Sequence, residues 1–292
     1  MKRKNKIKTN YINKKYENIY LIIVFIILSF SIYLSYEKDL YNEITITIKG
    51  TGEQYIVSES SEIIPNEIYV NEEKQNTAGR TVNLVEEENI IILKWNSPVT
   101  DCSHLFEDLN KIIKIDLSKF NSSSITNLDY MFSECSKLTT IIFDNFDTSL
   151  VESMKGMFVE CNALISLNLT MFDTSKVTEM ERMFYDCSSL TTLDLSNFKT
   201  SNVINMNSMF YDCYSLISLN IDNFDTSLVE DMNSMFVECN ALISLNLTMF
   251  DTSKVKYMYS MFYGCSSLST LDLSNFRTSN VIDMGGMFFD LL

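Results

Sequence analysis

Cys102 and His104 come nearest to a reactive site: a thiol and an imidazole two positions apart. Such a pair offers a nucleophile with its base, or two ligands for a metal. His104 is the only histidine of the 292 residues. No second imidazole completes either arrangement, and two ligands make no metal site. Six further cysteines, Cys135, Cys161, Cys187, Cys213, Cys239 and Cys265, recur at one interval. C-x-x-C and C-x-x-H spacings are missing around them and an evenly spaced column has no natural pairing, so they read as small buried side chains. The 7 glycines form neither G-x-G-x-x-G nor a P-loop. Acidic residues form an outward column at Asp116, Asp194 and Asp272, interrupted by Ile142, Asn168, Asn220 and Asn246. A carboxylate column can take Ca²⁺ or a basic ligand, but the glycine-rich nonapeptide of calcium-binding β-rolls is missing. The expectation is a protein without catalytic residues, cofactor or metal.

What positions these residues is one phrase of 26 residues, cleanest from Met183 to Ser208, MFYDCSSLTTLDLSNFKTSNVINMNS. Its Met-Phe pair returns at Met131, Met157, Met183, Met209, Met235, Met261 and Met287, with a degenerate copy at Leu105-Phe106. A fixed period of this length marks a repeat architecture. Leu190, Leu193, Leu195 and Phe198 alternate with polar residues as in a strand, in the spacing of a leucine-rich repeat. Val203, Met206, Met209 and Phe210 then follow at helical spacing, predicting a short helix or 3₁₀ segment. Ser149 with Glu152 and Ser227 with Glu230 have the spacing of capping boxes. The expected fold is an α/β repeat solenoid: a parallel sheet on one side, short helical segments on the other, and neighbouring copies sharing one core.

The strings MFYDCSSLTTLDLSNFKTSNV and MFYGCSSLSTLDLSNFRTSNV resemble the 26-residue repeat of the BspA-like leucine-rich-repeat surface proteins. The likeness runs from about Leu105 to Asp290. It implies an exposed surface protein, in some members one that acts in adhesion or aggregation; periodicity by itself implies only the repeat fold.

Four segments precede or make up this architecture. Residues 1–18 are a basic tail expected in the cytoplasm, and 19–36, IYLIIVFIILSFSIYLSY, are an apolar run expected to cross a membrane as a signal-anchor. Cleavage of that run and secretion is the alternative. Residues 37–104 read as a β-rich N-terminal cap, with strands at EITITIK, EIYV, RTVNLV and NIIILKW; a separate binding domain is the alternative. Residues 105–292 are the repeats, the last one cut short after MFFDLL. Residues 1–40 carry 8 basic and 3 acidic groups of the chain's 23 and 38, leaving 15 and 35 in residues 41–292, a net charge of −20. Such acidity argues against nucleic acid as a partner.

The outward strand positions are the candidate partner-binding face: Asp116, Asp144, Asn168, Asp194, Asn220, Asp222, Asn246 and Asp272. Asn121, Asn168 and Asn246 head glycosylation sequons, two of them on that face. The sequence therefore points to a single-pass cell-surface protein, solenoid outside, that recognises or adheres to a protein or glycan. A structural coat or spacer without a ligand, or a truncated nonfunctional duplicate, are the alternatives.

Overall fold

Alternation in EITITIK buries Ile44, Ile46 and Ile48 on one side and makes Glu43–Lys49 the first strand, β1. The computed structural model describes residues 23–26 and 42–291. Five more strands follow: β2 (Gly52–Tyr55), β3 (Glu67–Val70), β4 (Glu73–Lys74), β5 (Thr81–Leu84) and β6 (Glu88–Lys94). Four lie in the repeats: β7 (Ile112–Asp116), β8 (Thr140–Ile142), β9 (Thr192–Asp194) and β10 (Ser218–Asn220). One six-stranded sheet runs β4-β3-β6-β1-β7-β8. In it β1 is antiparallel to β6 and to β7, with Ile46 opposite Ile91 and Ile115, while β7 and β8 are parallel. The strand edge of the first copy is therefore paired by β1. Glu43, 7% exposed, fastens this seam through Lys94 and Lys119, each at 2.9 Å. Burial works to raise its carboxyl pKa, and the two lysines outweigh it, so the net shift is downward.

From Asp101 onward each copy lies on the next in fixed register. Parallel bridges link Asp101 to Asn127, then Ser153, Glu179, Asn205, Asp231, Tyr257 and Asp283 in succession. Leu190, Leu193, Leu195 and Phe198 are buried, as are Val203, Met206, Met209 and Phe210. The core is therefore one column running through every copy.

The expected α/β solenoid is corrected on three points. No helix or 3₁₀ segment occurs among the described residues of the repeats. Where a helix was expected, amides bond by turns within the copy and with the next copy. Met183 N, Tyr185 N and Cys187 N donate three residues back, to Met180 O, Arg182 O and Phe184 O. The interleaved Arg182 N, Phe184 N and Asp186 N donate to Asn207 O, Met209 O and Tyr211 O of the following copy. Two residues per copy take left-handed backbone, Arg182 (φ 56°) and Asp186 (φ 50°) in the cleanest one, and that conformation ends any helix. Accordingly Ser149 and Ser227 cap no helix; their own amides donate to Asp147 Oδ1 and Asp225 Oδ1.

Second, the parallel sheet is not continuous. Only β7–β8 and β9–β10 pair as strands, and Ser166 meets Thr192 through a single bridge. Beyond that gap the side-chain amide of Asn197 donates to the carbonyls of Leu169 and Phe172, as Asn275 does to Leu247 and Phe250. Side chains there hold carbonyls that a regular strand would give to its neighbour.

Third, no helix among the described residues is long and apolar enough to cross a membrane. The chain divides into compact units of 1–41 and 42–292. Of the first, only 23–26 are described, and they are helical. The remainder of the expected span at 19–36, and the tail at 1–18, lie outside the described residues. The single-pass placement read from the apolar run is not supported.

A polar face built on interrepeat ladders

Three ladders hold the copies to one another. Phe106, Phe132, Phe158, Phe184, Phe210, Phe236, Phe262 and Phe288 stack in one column; the Phe184–Phe210 centroids are 5.7 Å apart and the planes 1° off parallel. Beside it run the six cysteines, all buried and unpaired. Each thiol donates to a phenylalanine carbonyl one copy back, as Cys187 Sγ does to Phe158 O at 3.1 Å. Burial drives their pKa values far up, to about 12 for Cys213 and Cys265. They are neutral packing groups at any physiological pH.

The third ladder escaped the sequence reading. Thr148, Thr174, Thr200, Thr226 and Thr252 are at most 1% exposed. Thr174 Oγ1 donates to Lys199 O at 3.0 Å and accepts from Lys199 N at 2.8 Å, closing a two-point clasp between copies. Thr148, Thr226 and Thr252 make the same pair of bonds, and in the first copy Ser122 Oγ accepts from Asp147 N. The signal was available: a hydroxyl residue, Ser122 in the first copy and Thr thereafter, stands two positions after Phe120, Phe146, Phe172, Phe198, Phe224 and Phe250, and a buried hydroxyl needs a partner.

On the outward strand positions, Asp144, Asn168, Asp194, Asp222, Asn246 and Asp272 are exposed, whereas Asp116 and Asn220 are half-buried. Most of them close a turn. Asp116, Asn168, Asp194, Asn220, Asn246 and Asp272 each accept, through Oδ1, the amide N–H two residues on, at 2.9–3.2 Å. Those bonds hold the Asp194 and Asp272 carboxyls below their ordinary pKa, the backbone donors Ser196 and Ser274 contributing most. The preference for Asp and Asn in this column is that of an Asx turn. Along the column Asn246 also donates to Asp222 Oδ1 at 2.8 Å. In the sequons, Ser123, Thr170 and Thr248 donate their hydroxyls to Asn121, Asn168 and Asn246, each at 2.8 Å.

The Cys-x-His pair comes apart. Cys102 is fully buried, with its pKa driven up by burial. His104 stands on left-handed backbone (φ 56°), pairs through Nδ1 with Glu107 Oε2 at 3.0 Å and stacks on Tyr130. Among the described residues no three His, Cys, Asp or Glu side chains form a metal-holding group.

A second acidic column, on the turn side, was also missed. Asp108, Glu134, Glu160, Asp186, Asp212 and Glu238 stand one position before the cysteine site in successive copies, an M-F-x-[DE]-C pattern visible in the sequence. At its N-terminal end the column opens into a cavity of 320 Å³ lined by Tyr55, Glu59, Glu107, Asp108 and Glu134. Burial, then the charges of Glu160, Asp108 and Glu107, raise the Glu134 pKa; burial, then Asp212 and Glu160, raise that of Asp186. Asp212 is raised by burial and Glu238, against a lowering hydrogen bond from Tyr214.

Stacked short copies, joined backbone to backbone at a fixed offset, define a tandem-repeat protein. The family described as Mycoplasma protein of unknown function, DUF285, matches at residues 81–164, 100–218 and 213–291. The chain belongs to that family. No curated protein matches it, and no solved structure does.

Proposed function

We propose that the repeat array is a noncatalytic recognition scaffold that binds a protein or glycan through the strand-side face carrying Asp116, Asp144, Asn168, Asp194, Asn220, Asp222, Asn246 and Asp272. The reading rests on one observation above others: the bridges at constant register repeat that polar face copy after copy, giving the extended surface that repeat proteins use for partners. The likeness of the repeat to BspA-like surface proteins supports it. A ligand-free spacer is favoured by a different observation, that turn closure already accounts for six of the eight side chains. The two are separated by titrating the purified chain over a defined panel of immobilised glycans and matrix proteins. A recognition scaffold gives saturable binding to a panel member that is lost when Asp194, Asn220 and Asp272 are changed together to Ser. Binding that survives the triple change, or saturates nowhere, leaves the spacer.

A further inference from the structure

The turn-side carboxylates are the one array in which copy after copy sets like charge over like charge. Stacked rings at the preceding position show the spacing: Tyr185 and Tyr211 lie 4.7 Å apart, centroid to centroid. Each acidic residue is fixed at its backbone, with Asp186 N donating to Tyr211 O at 2.7 Å and Asp212 N to Val237 O at 2.8 Å. The backbone of each acidic residue is therefore held at the spacing of the copies. At the far end Gly264 replaces the next acid, and a Cβ there would meet the Glu238 carboxyl carbon at 2.8 Å. The Glu238 carboxylate thus lies over the gap.

We propose that this column is a pH-sensitive seam: with Glu134, Asp186 and Asp212 ionised it strains the contacts between successive copies, and their protonation in mildly acidic surroundings tightens the array. The groups facing it add little positive charge. Glu107, Tyr185, Tyr211 and Tyr263 flank it, and Tyr214 and Ser188 bond to Asp212 and Asp186. Arg182 is the cation at the column, 5.5 Å from the centre of the Tyr185 ring. At the N-terminal end Glu59 and Tyr55 close the cavity, and Lys111 lies with Asp108 in the adjoining trough.

The sign follows from linkage. A carboxyl whose folded pKa is raised favours the folded state fully below its unfolded value, and that advantage is lost as pH rises through the folded value. For Glu134, Asp186 and Asp212 stability therefore increases as pH falls from neutrality toward about 4.5. Asp173, Asp194, Asp251, Asp272, Glu43 and Glu67 have lowered values. Their contribution is present above the unfolded value and is lost as pH falls through the folded one, below about 4. The two sets act in separate windows and leave a stability maximum on the acid side of neutrality.

The test is thermal unfolding of the full chain at pH 7 and pH 5, beside a Glu160→Gln, Asp186→Asn, Asp212→Asn variant. The midpoint of the parent rises on acidification, by an amount on the order of 2–4 °C. The variant melts above the parent at pH 7, and the gap closes at pH 5. A parent midpoint that is flat or falls between these values overturns the proposal. So does a gap equal at both values, because it marks only the ease with which Asn takes left-handed backbone. Should the variant fail to fold, hydrogen exchange of the parent decides: protection of the Asp186 and Asp212 amides, corrected for intrinsic rates, must increase at pH 5, and unchanged protection refutes the seam.

Discussion

Thr174→Val removes a hydroxyl and adds a methyl in nearly the same volume, so it isolates the clasp from packing. Thr174 is fully buried, and its Oγ1 both donates to Lys199 O and accepts from Lys199 N. Valine leaves both backbone groups of residue 199 without those partners. A buried backbone group left unpaired costs about 1–3 kcal/mol. Lys199 itself is exposed, so water reaches part of this site and the low end applies to each group. The added methyl returns about 0.8 kcal/mol. The expected net loss is roughly 1 kcal/mol. Thr174→Ser keeps both bonds and loses one methyl, an expected cost of about 1 kcal/mol. Serine already stands in this role at Ser122, whose Oγ accepts from Asp147 N at 2.6 Å. Because a repeat array need not unfold in one step, the assay is residue-level hydrogen exchange with urea titration beside it. The Lys199 amide should exchange roughly five- to tenfold faster in the Val variant, each 1.4 kcal/mol being a factor of ten. Equal protection in both variants would refute the clasp.

Further predictions rest on the other ladders. Phe210→Ala opens the aromatic column between neighbours at 5.7 and 5.5 Å and should cost about 3–5 kcal/mol by urea titration, against little for exposed Ile217→Thr. Gly156→Ala should destabilise by about 1–3 kcal/mol, since residue 156 sits at φ 58° and a Cβ would lie 2.2 Å from the Tyr130 ring; adding Tyr130→Ala should recover part of the loss, and no recovery would remove the steric argument. The seven buried cysteines should resist a thiol reagent at pH 8 in the folded chain and react together in denaturant, because thiols held at about 12, as Cys213 and Cys265 are, contain almost no thiolate. Fast labelling of any one in native buffer contradicts that burial.

Sequence alone was enough for the period, the inward phase and the burial of the cysteine column. Those are consequences of a pattern repeated so often that one misassigned residue cannot shift it: Leu193 and Phe198 are buried in one copy because their counterparts are in the others. Strands in EITITIK and NIIILKW were legible for the same reason, since alternation leaves one solution for which face is apolar. The helical side was misread because apolar residues three apart satisfy both a helix and a succession of tight turns. Choosing between them depends on whether Phe184 N finds a partner in its own copy or Met209 O in the next, and only the stacked copies decide that. The parallel sheet was overestimated because strand spacing does not reveal that Asn197 takes the carbonyls of Leu169 and Phe172. The outward column was legible as polar and exposed, but not as turn closure: an Asp that binds a partner and an Asp that bonds the amide of Ser196 have the same letter. The threonine clasp and the acidic seam lie between copies, and such contacts arise only when tertiary structure sets residues about 26 positions apart side by side.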